Sequence, residues 1–550
     1  MPMSMPDPQP APVAPNPSRG TADRITALLA SASAITMLVV LGIAARIMNY
    51  AANRSLWHDE ATLALNLLSR SWIGLARPLD LQQIAPLGFL WTEKLAITLL
   101  GSSEWTLRLF PLAAGCVALV LMAVVAHRLL RGIAVPLSVG LFAVSMPVIY
   151  FAGEAKQYSF DVAIALAIML LALRARDEPL TVARGIVLGV LGAIAPWFSQ
   201  PAVFALGGAG LFVLLGVRGR RAQWRGAAVT FTLWAVSCAL AIEHALRGHT
   251  APTRVYLDAF WEPAFLPWWD GFLPALRWLG HAMLNEFTWL FPDPLPWALI
   301  LLSGIGVGAM ARRRSPEGLG LIALLLGPTL LALLASALRL YPFATRLTLF
   351  VSPAMALAIG FGIDALSTRT AVGRSSAPAT ALAVVVFVLA ARALRDLPMV
   401  REELRPVEEY VGAHRRPGDM IYVYYGALPA FRYYAGRARI GSSEYIAGRC
   451  ARTAWPLYLA DLRPLRGHPR VWLVLAHPFA RLGIREDSLF TQYLGSAGTL
   501  MDERRAYGAL AALYDLSDTT QVDSATHVFR PPRSGNASGA REMCGPEGGA

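Results

Sequence analysis

Apolar stretches long enough to cross a lipid bilayer recur along the first 394 residues, and they constrain the fold more than any other feature of the chain. A hydrocarbon core of roughly 30 Å requires about 17 to 25 helical residues for each crossing. By this criterion about eleven stretches qualify. They predict a mainly α protein, a polytopic membrane helix bundle, with stretches at 25–48, 107–127, 133–151, 159–175, 183–199, 200–217, 226–246, 295–311, 318–338, 345–366 and 377–394.

Composition and charge support this class. Hydrophobic residues make up 55% of the chain and charged residues only 15%, which is typical of an integral membrane protein. The net charge is +13, but the basic residues are spread over short connections instead of forming one stripe, so nucleic acid is not an expected partner. Arginines mostly cluster in alternate connections, which the positive-inside rule makes cytoplasmic. They are Arg128, Arg131, Arg174, Arg176, Arg218, Arg220, Arg221, Arg225, Arg312, Arg313, Arg314, Arg369 and Arg374.

This orientation places the N-terminus in the cytoplasm and the connections 49–106, 152–158, 247–294 and 339–344 outside, together with everything after 394. The first apolar stretch is too long for the core of a signal peptide, so we interpret it as a retained span. The expected domains are a disordered cytoplasmic tail over 1–23, a membrane domain over 24–394 and an extracytoplasmic α/β domain over 395–550. Short connections favour the inner membrane of a bacterium.

The first exterior connection contains the run Trp57-His58-Asp59-Glu60. Ionisable groups at the edge of a bilayer are costly to place, so two adjacent carboxylates beside a histidine and an indole are candidates for chemistry. The structural alternative is that both carboxylates cap a juxtamembrane helix, whose dipole favours acidic residues in its first turn. We expect Asp59 and Glu60 to be catalytic and His58 to bind substrate.

A second exterior segment, 150–158, contains Glu154, Lys156, Gln157 and Tyr158. An interfacial belt of aromatic and basic anchors is the alternative explanation, although it does not account for Glu154. We expect all four side chains to bind substrate. Lys156 is suited to a phosphate because its ammonium is a compact point charge.

A third exterior segment carries Tyr341 and then Arg346, which opens the next span against the positive-inside trend. A guanidinium holds a phosphate by paired, charge-assisted hydrogen bonds, which a neutral lipid does not offer. We therefore expect Arg346 and Tyr341 to bind an anionic lipid headgroup. Snorkelling of Arg346 to the interface is the alternative.

The order of these features resembles the GT-C glycosyltransferases, in particular glycosyltransferase family 39, which includes protein mannosyltransferases, and the related lipid A aminoarabinose transferases. The resemblance covers roughly residues 25–394 and rests on motif order together with topology. Its elements are a first span, an exterior Asp-Glu pair, a surface stretch with Pro86, the motif from Ser103-Glu104 to Arg108 before the next span, and an exterior Glu-Ala-x-x-Tyr.

The resemblance implies that Asp59 is the catalytic residue, that the segment with Glu154, Lys156 and Tyr158 lies near the donor site, and that Arg346 meets the lipid phosphate. We also expect Arg108 of the motif to bind substrate. The implied activity is transfer of a sugar from a polyprenyl phosphate to an extracytoplasmic acceptor, with Asp59 as general base and inversion at the anomeric carbon. Membrane lipids, the lipid-linked sugar and a glycan, lipid or protein acceptor are the expected partners.

Several alternatives stay open at this point. A lipid or glycolipid transporter, such as a flippase, would also have many spans, although no internal repeat is evident. A third possibility is an exterior interaction module anchored by the bundle, for which eleven spans are excessive. No cofactor is firmly implied, since two adjacent acids without further ligands are a weak signal for a divalent metal.

The pattern changes after residue 394. An amphipathic stretch over 401–416 is followed by strands near 420–425, 471–475, 510–514 and 527–530, which predict the small α/β domain. Cys450 and Cys544 lie in this part and would pair in an oxidising compartment, or stay apart if the Gly- and Pro-rich end is mobile.

Overall fold

The structure, a computed structural model, describes residues 31–291, 295–313, 316–369, 388–389, 391–392, 395–452, 454–481 and 484–518. The predicted tail 1–23, most of the predicted span 377–394, the strand predicted near 527–530 and Cys544 lie outside these ranges. Cys450 is disulfide-bonded, and Cys116 and Cys238 are free thiols.

The membrane part is helical throughout. Its helices are α1 Ala32–Ala51, α2 His58–Ser69, α3 Leu87–Leu100, α4 Glu104–Leu129, α5 Ala134–Val144, α6 Met146–Ala152, α7 Tyr158–Asp177, α8 Val182–Phe198, α9 Ala202–Val217, α10 Trp224–Gly248, α11 Ala251–Phe260, α12 Phe272–Leu290, α13 Leu295–Arg312, α14 Pro316–Ala337 and α15 Ser352–Arg369. A 3-10 helix, Thr345–Val351, precedes α15.

Ten of the eleven predicted stretches are helical in the described residues, and they identify a multi-pass membrane protein. Within the described ranges, seven helical segments are long and apolar enough to span a bilayer. The predicted span 133–151 is divided instead, because α5 and α6 meet at an angle of 56°, where Pro147 removes a backbone donor. The predicted spans 183–199 and 200–217 correspond to α8 and α9, which are shorter helices of 17 and 16 residues.

Close pairs of helices build the bundle: α8 packs on α10, α9 on α14, α13 on α15, and α4 on α7. Small residues allow some of these approaches. A side chain at Gly185 of α8 would collide with the backbone of Gly226 in α10, and a side chain at Gly226 would collide with the carbonyl oxygens of Leu180 and Thr181.

The C-terminal part contains a five-stranded sheet in the order β2-β1-β3-β7-β6. Strands β1 and β2 and strands β1 and β3 pair in parallel, whereas β7 pairs antiparallel with β3 and β6. Every residue of β3 is buried, as expected for the central strand of a covered sheet. The elements are β1 Met420–Val423, β2 Ile446–Ala447, β3 Val471–Ala476, β6 Thr499–Ala506 and β7 Ala509–Asp515, a separate hairpin of β4 Ala480–Arg481 and β5 Ile484–Arg485, and the helices α16 Leu404–His414, α17 Leu428–Tyr434, α18 Pro456–Leu462 and α19 Glu486–Ala497.

The sheet domain, defined here as residues 404–515, rests on the end of the bundle that carries α2. The Tyr434 hydroxyl accepts a hydrogen bond from the Leu56 backbone N–H at 2.7 Å. Arg405 donates to Glu104 at 2.6 Å and Arg437 at 3.1 Å, so two guanidinium groups of the sheet domain share one carboxylate at the start of α4. The loop before α2 is therefore fixed between the bundle and the sheet domain.

Candidate active site

The candidate site is centred on an ion pair between Asp59 and Arg346. Asp59 lies in the first turn of α2, and Arg346 lies in the 3-10 helix before α15. The Arg346 Nη1 and Asp59 Oδ2 atoms are 2.8 Å apart, and the two side chains are 18% and 20% exposed. The pair is thus accessible, although it is largely desolvated.

Aromatic rings surround the Arg346 guanidinium. Its Cζ atom lies 5.6 Å from the ring centre of Trp261, 5.7 Å from that of Trp57 and 6.0 Å from that of Tyr158. Rings at these distances attract a cation through their quadrupoles and keep water away from it. The Arg346 Nε is buried without a hydrogen-bond partner in the described part of the chain, so the guanidinium retains donor capacity for a ligand.

The ion pair determines the protonation of Asp59. Burial alone raises the pKa of this carboxyl, but the positive charges of Arg346 and Lys156 lower it further than burial raises it, so the net pKa lies well below its usual range. Asp59 is therefore a carboxylate near neutral pH. It is also a weak base as long as Arg346 holds it, because a low pKa means a poor proton acceptor.

Glu60 has a different environment from its neighbour. It is fully buried and pairs with Arg108, whose Nε and Nη2 atoms lie 2.8 and 2.5 Å from the two carboxylate oxygens. The backbone N–H of Ala155 also donates to Glu60 at 2.8 Å, and Arg108 donates to the carbonyl of Arg54 at 2.7 Å. Burial raises the pKa of Glu60, but Arg108 and Arg54 lower it to a net value below the usual range.

The contacts of Glu60 and Arg108 point to other roles than the sequence led us to expect, which were catalysis for Glu60 and substrate binding for Arg108. Every strong polar contact of Glu60 is made within the protein, and Glu60 and Arg108 together tie the loop before α2 to α4 and to the connection at 153–157. A buried carboxylate whose two oxygens already accept hydrogen bonds leaves no position from which a reacting hydroxyl could approach it. We therefore propose an anchoring role for both residues.

Glu154 lies behind the ion pair and contacts the same aromatic wall. The Trp57 Nε1–H donates to Glu154 Oε1 at 3.1 Å, and Oε2 is buried without a partner among the described residues. Burial, and then the nearby negative charge of Glu60, raises the pKa of Glu154 to about 7, although Arg346 and Arg54 oppose the rise. The predicted residue is thus at the site, in contact with Trp57.

The other residues predicted in 156–158 are also at this place. Lys156 donates to Gln83 Oε1 at 2.6 Å, and burial lowers the pKa of its ammonium, while the charge of Asp59 counteracts the shift. Gln157 is buried with its Oε1 atom unpartnered in the described ranges. Tyr158 is one of the rings around Arg346.

Tyr341 acts through the backbone of the arginine segment. Its hydroxyl donates to the carbonyl of Leu347 at 2.8 Å, one residue after Arg346, and its ring packs edge-on against Phe204. The ring has no contact with Asp59. The position of Tyr341 therefore indicates that this residue orients the 3-10 helix, whereas the sequence led us to expect that it binds substrate.

His58 points away from the pair and toward the sheet domain. Its ring stacks on His477 with centres 4.7 Å apart, and its Nδ1 lies 3.0 Å from the carbonyl oxygen of Gly426. His477 in turn pairs with Glu402 at 2.6 Å. Burial, with the nearby charge of His477, lowers the pKa of His58 to about 4, so the ring is neutral at pH 7. His58 thus contacts the sheet domain at the edge of the site.

Sequence reasoning missed one further cation. The Arg401 guanidinium lies 3.9 Å from the ring centre of Trp57, on an indole that also borders Arg346. Such a short distance is typical of a stacked cation–π pair. Arg401 precedes the sheet domain in sequence, and no spacing rule connects it to Trp57. The available signal was an arginine shortly after the last predicted span.

The residues do not suggest a metal centre. Across the ranges that the structure describes, no group of three or more His, Cys, Asp or Glu side chains is arranged to hold an ion. The donor set at the acidic pair does not fit either, because both oxygens of Glu60 are used by Arg108 and the backbone.

No protein-family model matches the chain, and no curated protein matches it. Among solved structures, the chain is similar to ArnT from Cupriavidus metallidurans in the apo state (13% identity, 91% of this chain and 100% of that one, TM-score 0.36). It is similar also to the same protein bound to undecaprenyl phosphate (14%, 92% and 100%, TM-score 0.36). A third is arabinofuranosyltransferase AftD from Mycobacteria (15%, 90% and 42%, TM-score 0.41).

AftD is by its name a glycosyltransferase, which is the kind of enzyme that the sequence resemblance implied. The matches extend over most of this chain, but identities of 13–15% and TM-scores of 0.36–0.41 carry no statement about its substrate or mechanism. The contacts within the site have to support any proposal about substrate and mechanism.

Proposed function

We propose that the chain is an integral membrane glycosyltransferase that moves a sugar from a polyprenyl-phosphate carrier to an acceptor hydroxyl at the end of the bundle covered by the sheet domain. The observation that carries the proposal is the accessible Asp59–Arg346 pair, 2.8 Å apart. A lone carboxylate and an adjacent guanidinium are the two groups that such a transfer requires: a base for the acceptor and a cation for the phosphate.

The location of the pair suits a lipid-linked donor. Arg346 lies at the start of the segment Thr345–Ser367, which is apolar and long enough to span a bilayer. A polyprenyl tail would stay in lipid beside such a segment, while its phosphate reaches the interface. Arg346 offers paired donors in a fixed plane, and Lys156 adds a second positive charge close to Asp59.

The reaction then follows from the charges. The acceptor oxygen attacks the anomeric carbon as its proton passes to Asp59. The bond between the anomeric carbon and the phosphate oxygen breaks, and its electron pair leaves with the phosphate, whose negative charge Arg346 and Lys156 stabilise. With one displacement and no covalent intermediate, the configuration at the anomeric carbon inverts.

Arg346 also couples donor binding to the strength of the base. In the structure its guanidinium pairs with Asp59, whose pKa is consequently low. A lipid phosphate that binds Arg346 competes with Asp59 for the positive charge of the guanidinium and so weakens its hold on the carboxylate, which then becomes a stronger base. Asp59 is thus activated only when a donor occupies the site, which suppresses reaction of an acceptor with an empty site.

The test uses cells that carry the native chain, Asp59→Asn or no chain, with mass spectrometry of their lipid-linked sugars and surface glycans. We expect both altered strains to lose one glycan modification and to accumulate its polyprenyl-phosphate sugar. Normal glycans in the Asp59→Asn strain would contradict the role of Asp59 and favour the transporter. Retained configuration in the product of the purified protein would contradict the single displacement.

A further inference from the structure

Glu286 is a buried carboxyl group that the proposed reaction does not use. It lies on α12 and is only 5% exposed. Its Oε2 atom has no hydrogen-bond partner among the described residues, and burial raises the pKa of the group to about 7. Burying a carboxyl group with an unpartnered oxygen costs free energy, so its retention in the core calls for an explanation.

The polar contacts of Glu286 all go to the turn that carries Arg346. The Thr348 hydroxyl lies 2.7 Å from Glu286 Oε1 and 2.8 Å from the carbonyl oxygen of Thr345. The nearby backbone N–H of Thr345 also lowers the pKa of the Glu286 carboxyl, against the larger effect of burial. Since Thr348 is itself buried, water does not replace these bonds if they are lost.

The turn needs such a support because its backbone is strained. Thr345 has a φ angle of 41°, in the left-handed region that β-branched residues rarely adopt. A residue held there persists only when its surroundings fix it. Thr345 directly precedes Arg346, so relaxation of this φ angle would turn the arginine away from Asp59.

We infer that Glu286 is a positioning residue of the candidate site: its carboxyl group, hydrogen-bonded to Thr348 and next to the backbone of Thr345, holds the 3-10 helix in the conformation that places Arg346 on Asp59. The functional consequence rests on the proposed function, since Arg346 is there the phosphate-binding residue. Glu286 itself touches neither Asp59 nor a reacting atom. A displacement of about 1 Å in such a group is enough to lower catalysis about 100-fold.

The experiment compares Glu286→Ala, Glu286→Gln and Thr348→Val in the purified full chain. Glutamine keeps an acceptor oxygen of the same reach, whereas alanine removes it; valine removes the Thr348 hydroxyl at constant shape. Asn285→Ala is the matched control, because Asn285 is the exposed neighbour of Glu286 on the same helix. Hydrogen exchange of the 345–351 amides, titration with undecaprenyl phosphate and thermal unfolding are measured for each.

We expect Glu286→Ala to speed exchange over 345–351 and to weaken binding of undecaprenyl phosphate about ten-fold, the loss of roughly one charge-assisted contact. Thr348→Val should likewise speed exchange and weaken binding. In Glu286→Gln and Asn285→Ala, the exchange rates and the dissociation constant should stay within about two-fold of the native values. A purely structural role would lower the unfolding temperature of Glu286→Ala without changing the affinity of the folded protein.

Two results would overturn the inference. One is native exchange and affinity in folded Glu286→Ala; the other is a loss in Glu286→Gln as large as in Glu286→Ala, which would mean that charge and not the acceptor oxygen matters. Failure of the proposed function is distinguishable. Faster exchange in Glu286→Ala, together with no lipid-phosphate binding by the native chain, would support the positioning and refute the function of Arg346.

Discussion

Replacing Asp59 by asparagine separates the two functions assigned to the central ion pair. Asparagine has the shape of aspartate but neither its charge nor its basicity. Loss of a general base slows transfer about 10²- to 10⁴-fold. Because Arg346 then no longer holds a carboxylate 2.8 Å away, we expect its affinity for a lipid phosphate to rise while the activity falls.

The size of the rise follows from the contact. A hydrogen bond between charged groups contributes about 1.5–3 kcal/mol, but the pair is about one-fifth exposed on each side, and solvent screening reduces the effect. We therefore assign about 1.4 kcal/mol to the Asp59–Arg346 contact, which a phosphate has to displace when it binds the native chain. The dissociation constant of undecaprenyl phosphate should therefore fall about ten-fold in Asp59→Asn.

The assay is titration of the detergent-solubilised protein with undecaprenyl phosphate, next to a transfer assay on the same preparation. Asp80→Asn is the matched control: Asp80 pairs with Arg70, also at 2.8 Å, in the same connection. We expect Asp80→Asn to keep the native affinity for undecaprenyl phosphate and the native transfer activity. Unchanged or weaker binding in Asp59→Asn would refute the competition for Arg346, and retained transfer activity would refute the base.

Three other predictions test neighbouring residues. Arg346→Lys keeps a positive charge but loses the paired donors, so affinity for undecaprenyl phosphate should fall about ten-fold in the same titration; native affinity would contradict phosphate binding by Arg346. Glu60→Gln leaves the buried Arg108 cation without its counter-charge, which should cost about 3–5 kcal/mol and lower the unfolding temperature far more than Asp59→Asn does; equal unfolding temperatures would contradict the anchoring role. The folded pKa of Glu154, about 7, exceeds its ordinary value of 4.5, so the folded chain binds a proton that the unfolded chain has released, and stability should fall on the order of 3 kcal/mol as the pH rises from 4.5 past 7. Glu154→Gln should abolish that part of the pH dependence in thermal unfolding, and an unchanged profile would contradict the assignment.

Sequence patterns predicted the helices well because hydropathy and helix ends are local properties. The boundary between the stretches ending at 199 and beginning at 200 agrees with α8 and α9, where Pro201 separates them. Hydropathy did not reveal the bend between α5 and α6. It also did not distinguish α8 and α9, with 17 and 16 residues, from the longer helices, since a stretch of that length satisfies the same pattern.

The candidate site was predicted in part. Asp59, Glu154, Lys156 and Arg346 meet as expected, because each is an ionisable residue at the end of a span and such residues are rare. That Asp59 meets Arg346 and Glu60 meets Arg108 was not predictable, since adjacent residues in a helix point in different directions and only the fold decides which one meets Arg108.

The contribution of the C-terminal part to the candidate site could not be predicted from the sequence either. Arg401 and His477 reach the loop before α2 through tertiary packing, which no local pattern records. Their positions depend on how the sheet domain docks on the bundle. A prediction from one sequence has no information about that docking.

The docking has a consequence for the order in which the protein matures. The loop before α2 is translated well before the sheet domain, yet in the described residues the Leu56 N–H donates to Tyr434, and Glu104 pairs with Arg405 and Arg437. A nascent chain that has passed its early spans still lacks these partners. The loop before α2 and the start of α4 therefore gain these contacts only after translation has passed residue 437.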